Sequence, residues 1–598
     1  MSRWLPLLGI PILAIAVLAA VGWFLFGGGG KDQVFIFKGL RGPQEASRIV
    51  DHPAANLEDY GGGAPNRMAI LVTDPTANWL GLVRAFRAQG VPLTVTRDPA
   101  KALRHRVILV YPMISGRNLS PPDLRALAAH VRSGGSLLTF HLAGGGLEEL
   151  FGVAGAQEAR TRSSIAWTQK TGVAEEDVTR VAGSGDRRLG TVGYSATTAR
   201  VLGRFDDGSA AVTCRTVAGE ACLMGLDLGG FAGRAMNGRS EGMGRSYANA
   251  YEPSLDVLAR WVRDFYVAGE PAPWLLDTVP AGKTMSILLT HDVDYGKSVP
   301  NAGTYGDMIA AEGVRATFFI QTKYIRDYND EVFFDDRAVP VVERLLGQGM
   351  EIGSHSVAHA MTFKDFPLGD GRERYPGYRP FVEARLKTRK ATVLGELRVS
   401  RFLLEQTAGA KVVSFRPGHL SYPFSLPEAL EAAGYRYSSS LTANMTMTHL
   451  PFQLTVGRES RALTPVYEFP VTIEDELGAP LAQRFDAADT LLRRIAEHRG
   501  MAVILIHPNV VGDKLGFERR LIAAWKDRAW MGTLADFGSW WAARDQLDAD
   551  LVQENGRWVL KVASRDAVKD LVVLTPKIGG GRTVLTLSAG ESRTAPVD

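Results

Sequence analysis

Two long stretches of this chain alternate short, unbroken apolar runs with helical stretches, and that alternation limits the fold more than any other feature. Arg67-Met-Ala-Ile-Leu-Val-Thr73 reads as a buried strand and Trp79 to Gln89 as a helix ending at Gly90. Val91 to Thr96 and Val107 to Tyr111 follow as strands, then a helix over Leu119 to Arg132 and a strand over Ser136 to Phe140. Ser120-Pro121 starts that second helix and Gly134-Gly135 stops it. Strands separated by helices in this way belong in a parallel sheet with helices on its faces.

A second block repeats the pattern. Ser286 to Thr290, Ala316 to Ile320, Met350 to Gly353, Val412 to Phe415 and Ala502 to Ile506 read as strands, with helices over Arg385 to Gln406 and Pro427 to Ala433. This predicts a barrel-like (β/α) unit whose functional groups sit on loops at the strand C-termini. From Gln546 to Asp598 apolar and polar residues alternate, as in a small antiparallel β module. The expected class is therefore α/β. The expected order is an anchor and linker over 1–30, a parallel-sheet domain over 31–270, a distorted barrel over 271–545 and a β module over 546–598. A chain of 598 residues is too long for one core and requires such a division.

The first thirty residues set the expected location. Leu5 to Phe26 carries no charge and has Trp4 and Trp23 near its ends, which suits a single transmembrane helix with interfacial aromatics. Arg3 precedes the run and four glycines follow it, so the short end is expected in the cytoplasm and the rest in the periplasm. A cleaved signal peptide ending near Ala19-Ala20 is the other reading, and it exports the same residues. The net charge is +4, with both signs mixed along the chain and no sustained basic stripe, so no nucleic-acid partner is expected. Cys214 and Cys222 flank a hairpin-like turn at Ala218-Gly219; they are either a disulfide or two small buried residues.

Chemistry gathers at the ends of the second block's strands. One strand runs into His291-Asp292-Val-Asp294, where two carboxylates two residues apart face the same side. Another runs into His355-Ser-Val-Ala-His359, a spacing that puts both imidazoles on one face of a helical turn. Two histidines and a carboxylate leave positions open on a metal ion, as catalytic sites do. Val412-Val-Ser-Phe is followed by Arg416, and Ala502-Val-Ile-Leu-Ile by His507. Four apolar strands that each end in a reactive group point to one shared site.

These residues carry two resemblances. Residues 67–235 resemble in pattern the class I glutamine amidotransferase-like (flavodoxin-like) superfamily. The turn after Phe140 nevertheless reads His141-Leu-Ala-Gly-Gly-Gly and lacks the nucleophilic cysteine, so the expected role there is structural or partner-binding. The block over 285–510 resembles the polysaccharide deacetylases (NodB homology, carbohydrate esterase family 4) in its Asp-x-Asp, Ala316-Thr-Phe-Phe-Ile, His355-x-x-x-His359, Arg416-Pro and Leu505-Ile-His507 motifs. The domain order also resembles Pel-type exopolysaccharide deacetylases.

The resemblance implies a deacetylase of an N-acetylated polysaccharide. Asp294, His355 and His359 would hold one divalent ion, Zn²⁺ first, with Co²⁺, Ni²⁺ or Fe²⁺ tolerated. Asp292 would be the base, Arg416 its orienting partner and His507 the acid. A backbone amide near Ser421-Tyr422 would support the oxyanion. Tyr295, Tyr422 and Phe424 are expected on the substrate, with ordinary loop anchoring as the alternative. The family's fourth-motif aspartate is expected near Tyr435 to Ser440, where none occurs. That gap keeps open an inactive sugar-binding or scaffold subunit of an export system. Peptidoglycan is the alternative polymer, other export proteins are possible partners, and an oxygen-activating iron triad is the weakest reading.

Overall fold

The computed structural model describes residues 34–182, 189–237, 247–458 and 461–597. The apolar run Leu5 to Phe26 and the glycines after it lie outside the described residues; within them no helix is long and apolar enough to cross a membrane.

The first unit is built on an eleven-stranded mixed sheet. Its parallel half runs Leu93–Thr96, Met68–Val72, Val107–Tyr111, Ser136–Thr139 and Glu220–Met224 in spatial order. Every residue of Met68–Val72 is buried, as a central parallel strand requires. The helix Pro121–Arg132 starts as its sequence signals predict. The Ser120 side chain accepts from the Asp123 amide and the Asp123 side chain accepts in return from Ser120. Beyond Glu220–Met224 the sheet turns antiparallel, and there Cys214 and Cys222 stand directly opposite one another and are joined as a disulfide.

The second unit holds a ten-stranded curled sheet. Met285–Val293 lies at its middle between Thr317–Ile320 and Met501–Ile506, all parallel, and Glu351–Ser354 and Ser414–Phe415 continue the row. Leu463–Glu468, next to the end strand Phe452–Thr455, leads through two residues into Val471–Ile473 at the other end, and a bridge between Thr442 and Val471 joins the two flanks. The strand C-termini therefore open on one mouth. The helix expected over Arg385 to Gln406 is instead a hairpin, Phe381–Ala384 with Lys387–Arg389, followed by a helix over Val393–Ala408. Thr392 sets that boundary, because its side chain accepts from the Gly395 amide and caps the helix there.

The C-terminal strands form two three-stranded sheets, one of them completed by Leu275–Leu276 from the segment linking the larger units. Residues 34–47 run along the second unit, with the Phe35 amide on Tyr324 O at 2.9 Å and Ser47 on Gly371 O at 2.9 Å. The parts are bound together by Arg544, which has no exposed surface. It donates to Arg87 O and Ala88 O of the first unit at 3.1 Å each, and to Leu276 O at 3.0 Å and Asp277 O at 2.7 Å in the linker. Gly90 fits the same junction: it takes φ +79, and a Cβ there would lie 1.9 Å from Leu276 O.

Removing the guanidinium strands buried carbonyls such as Asp277 O and Ala88 O, each a loss of about 1–3 kcal/mol, while Arg87 O keeps the Gly90 amide. Arg544→Met is therefore expected to lower stability by roughly 3 kcal/mol or more in denaturant unfolding. An unchanged unfolding midpoint would show that Arg544 does not hold the units together.

Candidate active site and metal centre

Arg416 organises the mouth. It is completely buried, and its Nη1 donates to Asp292 Oδ1 at 2.7 Å and Thr290 Oγ1 at 2.9 Å. Its Nε donates to Ser439 O at 3.0 Å and its Nη2 to Ser439 Oγ at 2.7 Å, while the guanidinium lies 4.5 Å from the Phe319 ring centre. The backbone carbonyl of the same residue accepts from His355 Nδ1 at 2.9 Å. That bond places the proton on Nδ1 and leaves Nε2 as a lone-pair donor facing the mouth.

Asp294, His355 and His359 each offer one ligand atom within 4.8 Å of the others, and all three are buried. Neither Asp294 Oδ1 nor His355 Nε2 has a hydrogen-bond partner. Buried polar atoms are normally paired, so the orphaned atoms of Asp294 and His355, with His359 beside them, fit a divalent cation. Asp292 stands beside them, with its Oδ2 3.8 Å from His355 Nε2.

The two histidines do not share a helical turn, contrary to the spacing argument. Ser356 (φ 65) and His359 (φ 51) adopt left-handed backbone, which breaks any helix. The Glu396 carboxylate holds the resulting loop, with Oε2 accepting from the Val357 and Ala358 amides at 2.8 Å each. Asn329 Nδ2 donates to Ala358 O at 3.2 Å and to His359 O at 3.0 Å. Gly418 leaves room for the ring, since a Cβ there would sit 2.5 Å from His359 Cδ2.

His507 completes the mouth, its Nε2 3.7 Å from Asp294 Oδ2. Its Nδ1 is 2.6 Å from Asp475 Oδ1, and its backbone amide donates to Asp475 Oδ2 at 2.7 Å. Lys514 Nζ lies 2.5 Å from the second Asp475 oxygen. Asp475 is thus the acid that the sequence reading misses near Tyr435 to Ser440. It follows the three-residue strand Val471–Ile473, the same apolar-run-then-acid signal that marks Asp292 and Asp294. Its carboxylate supplies His507 with the acidic partner that the sequence lacks near Tyr435 to Ser440.

The charge states divide accordingly. Burial raises the Asp292 pKa, but Arg416, His355 and His507 outweigh it and hold the group below the ordinary carboxylate range. Asp294 is raised to about 7, chiefly by burial and further by Asp292 and Glu476, with His507 opposing. Burial lowers His355 to about 4 and holds His359 well below its ordinary value. At His507 burial acts downward, yet the Asp475 hydrogen bond and the carboxylates around it raise the group to about 10.

The remaining residues fall in different places. Tyr295 is at the mouth and 37% exposed. Tyr422 and Phe424 instead pack against Arg458, 4.6 and 5.4 Å from its guanidinium carbon. The Ser421 amide is taken by Gly418 O at 3.0 Å. His419 sits against His359 with ring centres 4.6 Å apart. His291 pairs with Glu518 at 3.1 Å, stacked on Phe318, and His449 stacks on Tyr251. Glu468 is structural, because it accepts from the Ser440 and Leu441 amides at 2.6 and 2.8 Å.

Residues 281–438 match the polysaccharide deacetylase family, so this stretch is a polysaccharide deacetylase domain. Among solved structures the chain is similar to a Mycobacterium smegmatis protein assigned to the polysaccharide deacetylases, at 18% identity over 44% of this chain and 93% of that one, TM-score 0.32. It is also similar to a Streptococcus mutans CE4 esterase (17% identity, 43% and 87% covered, TM-score 0.27). A third is a family 4 carbohydrate esterase from Streptomyces lividans, solved with acetate (16% identity, 42% and 92% covered, TM-score 0.25). No curated protein matches the sequence.

Two outcomes are expected from the site. Because Asp294 titrates near 7 while both imidazoles are already neutral there, one proton competes with the metal as pH falls. Zn²⁺ affinity measured by competition with a chelating dye should drop close to tenfold per pH unit below about 7; a flat profile from pH 7 to 5 contradicts the assignment. Glu396→Gln should weaken Zn²⁺ binding by about 10–100-fold in a protein that still folds. Wild-type affinity in that variant would show that the loop needs no carboxylate.

Proposed function

We propose that the chain is a metal-dependent N-deacetylase of an amino-sugar polysaccharide, acting outside the cytoplasm. The observation that carries this reading is the arrangement around Arg416: a carboxylate held ionised beside three clustered ligand residues, two of them with unpartnered buried atoms, and a protonated imidazole across the same mouth. Lewis-acid polarisation of the acetamide carbonyl is the chemistry that a divalent ion held by Asp294, His355 and His359 supplies.

The chain's own residues account for the proton transfers. Asp292 keeps its negative charge at neutral pH and takes a proton from the water that adds to the acetyl carbon. Arg416 fixes which Asp292 oxygen is free, because it occupies Oδ1 and leaves Oδ2 toward the ligands. As the C–N bond breaks, protonated His507 delivers its Nε2 proton to the departing nitrogen. Asp475 on Nδ1 holds that ring in place. Acetate and an amine on the polymer are the products. The Tyr422 amide and the exposed Tyr295 ring are the groups we assign to the oxyanion and to the sugar face.

The location rests on two supports. The Cys214–Cys222 disulfide is of a kind that persists in oxidising compartments, and the uncharged run Leu5 to Phe26 suits a single-pass anchor in the inner membrane. The domain order favours a secreted exopolysaccharide over peptidoglycan as substrate and other export proteins as neighbours.

Acetate release from an N-acetylated chito-oligosaccharide tests the proposal. Asp292→Asn should lower the rate by about 100-fold or more with bound metal unchanged, whereas Asp294→Asn should lose metal and activity together. Equal acetate release by wild type and Asp292→Asn would end this assignment.

A further inference from the structure

A polar cavity of about 390 Å³ lies between the first unit and the segment that follows Phe452–Thr455. Asn78, Arg84, Asp227 and Arg234 line it from the first unit, and Arg458 and Arg461 from the second. It opens beyond the C-terminal ends of Met68–Val72 and Val107–Tyr111. There the strand order reverses, because Leu93–Thr96 pairs on one side of Met68–Val72 and Val107–Tyr111 on the other. Open α/β sheets take up ligands at such a switch point.

Arg84 supplies the second, independent observation. Its side chain is buried within the helix Trp79–Ala88, with 9% of the residue exposed. One terminal nitrogen donates to Gln453 O, and Nε has no partner. No carboxylate among the described residues forms an ion pair with it. Burial lowers its pKa to about 10, so the group is still a cation at neutral pH. A buried cation with no carboxylate at ion-pair distance, only the more distant Asp545 and the Phe452 ring 5.8 Å away, is costly and favours an added anion. Arg461 donates to Pro75 O and, among the described residues, forms no ion pair, with Asp74 an opposing charge acting on it. Asp227, the single acid among the described lining residues, is already engaged: its Oδ1 accepts from Tyr111 at 2.7 Å and from the Gly230 amide at 2.9 Å.

We propose that this cavity binds a small ligand bearing a multiply charged oxyanion of the phosphate class. Guanidinium groups present fork-shaped pairs of donors that match phosphate oxygens, and arginines from both units face one space. The volume suits a phosphorylated small molecule. Because each unit contributes cations, the ligand bridges them, and it reaches Arg458, on which Tyr422 and Phe424 pack. The inference is independent of the deacetylase assignment.

Isothermal titration of the full chain with pyrophosphate, inorganic phosphate and glucuronate tests it, with acetate as the monovalent control. Pyrophosphate should bind at one site more tightly than phosphate, and acetate should not bind. Tighter binding of glucuronate than of either phosphate would overturn the phosphate class. Arg84→Met and Arg461→Gln should each weaken pyrophosphate at least tenfold. Without ligand, Arg84→Met should melt no lower than wild type, since it removes an unpaired buried charge. The proposal fails if no saturable heat appears up to about 1 mM pyrophosphate, or if both variants bind like wild type. It fails too if Arg84→Met melts lower while Arg461→Gln binds normally, which would make the guanidinium a structural strut.

Discussion

The Arg416 guanidinium is the constraint on which the deacetylase mouth depends. A fully buried cation is tolerated only where its donors and its charge are satisfied. Here Thr290 and Asp292 on the central strand, Ser439 after the strand Tyr437–Ser438 that pairs with Ser414–Phe415, and the face of Phe319 do so together. Each of those partners is itself fixed: Thr290 Oγ1 donates to Ile504 O at 2.7 Å and Ser439 Oγ to Phe469 O at 2.9 Å. The backbone of Arg416 then orients His355. One residue thereby sets both the ionised carboxylate and the tautomer of a metal ligand.

From that constraint follows a separation of two chemically identical groups. Asp292 and Asp294 are neighbours on one strand end, yet the guanidinium lowers the first while burial and the first aspartate's charge raise the second. A pair pushed apart in this way divides into a group that keeps its charge and a group that gains it by meeting a cation. On the far side, Asp475 and Lys514 hold His507 as Arg416 holds Asp292. The mouth therefore has a basic wall and an acidic wall with the ligand atoms between them.

Much of this was legible in the sequence because strands are local and their ends are predictable. Asp292, Asp294, Arg416 and His507 each follow an apolar run, and the structure brings them together at one mouth. The loop of His355 and His359 was read as a helical turn because spacing alone carries no sign of left-handed backbone or of a carboxylate forty residues away at Glu396. Asp475 went unseen because its strand is only three residues long, too short to stand out. Tyr422 and Phe424 lie near the motifs in sequence, and what their rings pack on, the Arg458 guanidinium, carries no sign in the sequence. Arg84 left no signal at all, since a helical arginine in sequence looks like any solvated one.

The central claim is that one ion sits among Asp294, His355 and His359. Anomalous diffraction from crystals grown with Co²⁺, recorded on both sides of the cobalt edge, tests it most directly. The account requires a single strong peak about 2.0–2.2 Å from an Asp294 oxygen and one nitrogen of each histidine. A map with no peak there, or with its peak held by other residues, would contradict it.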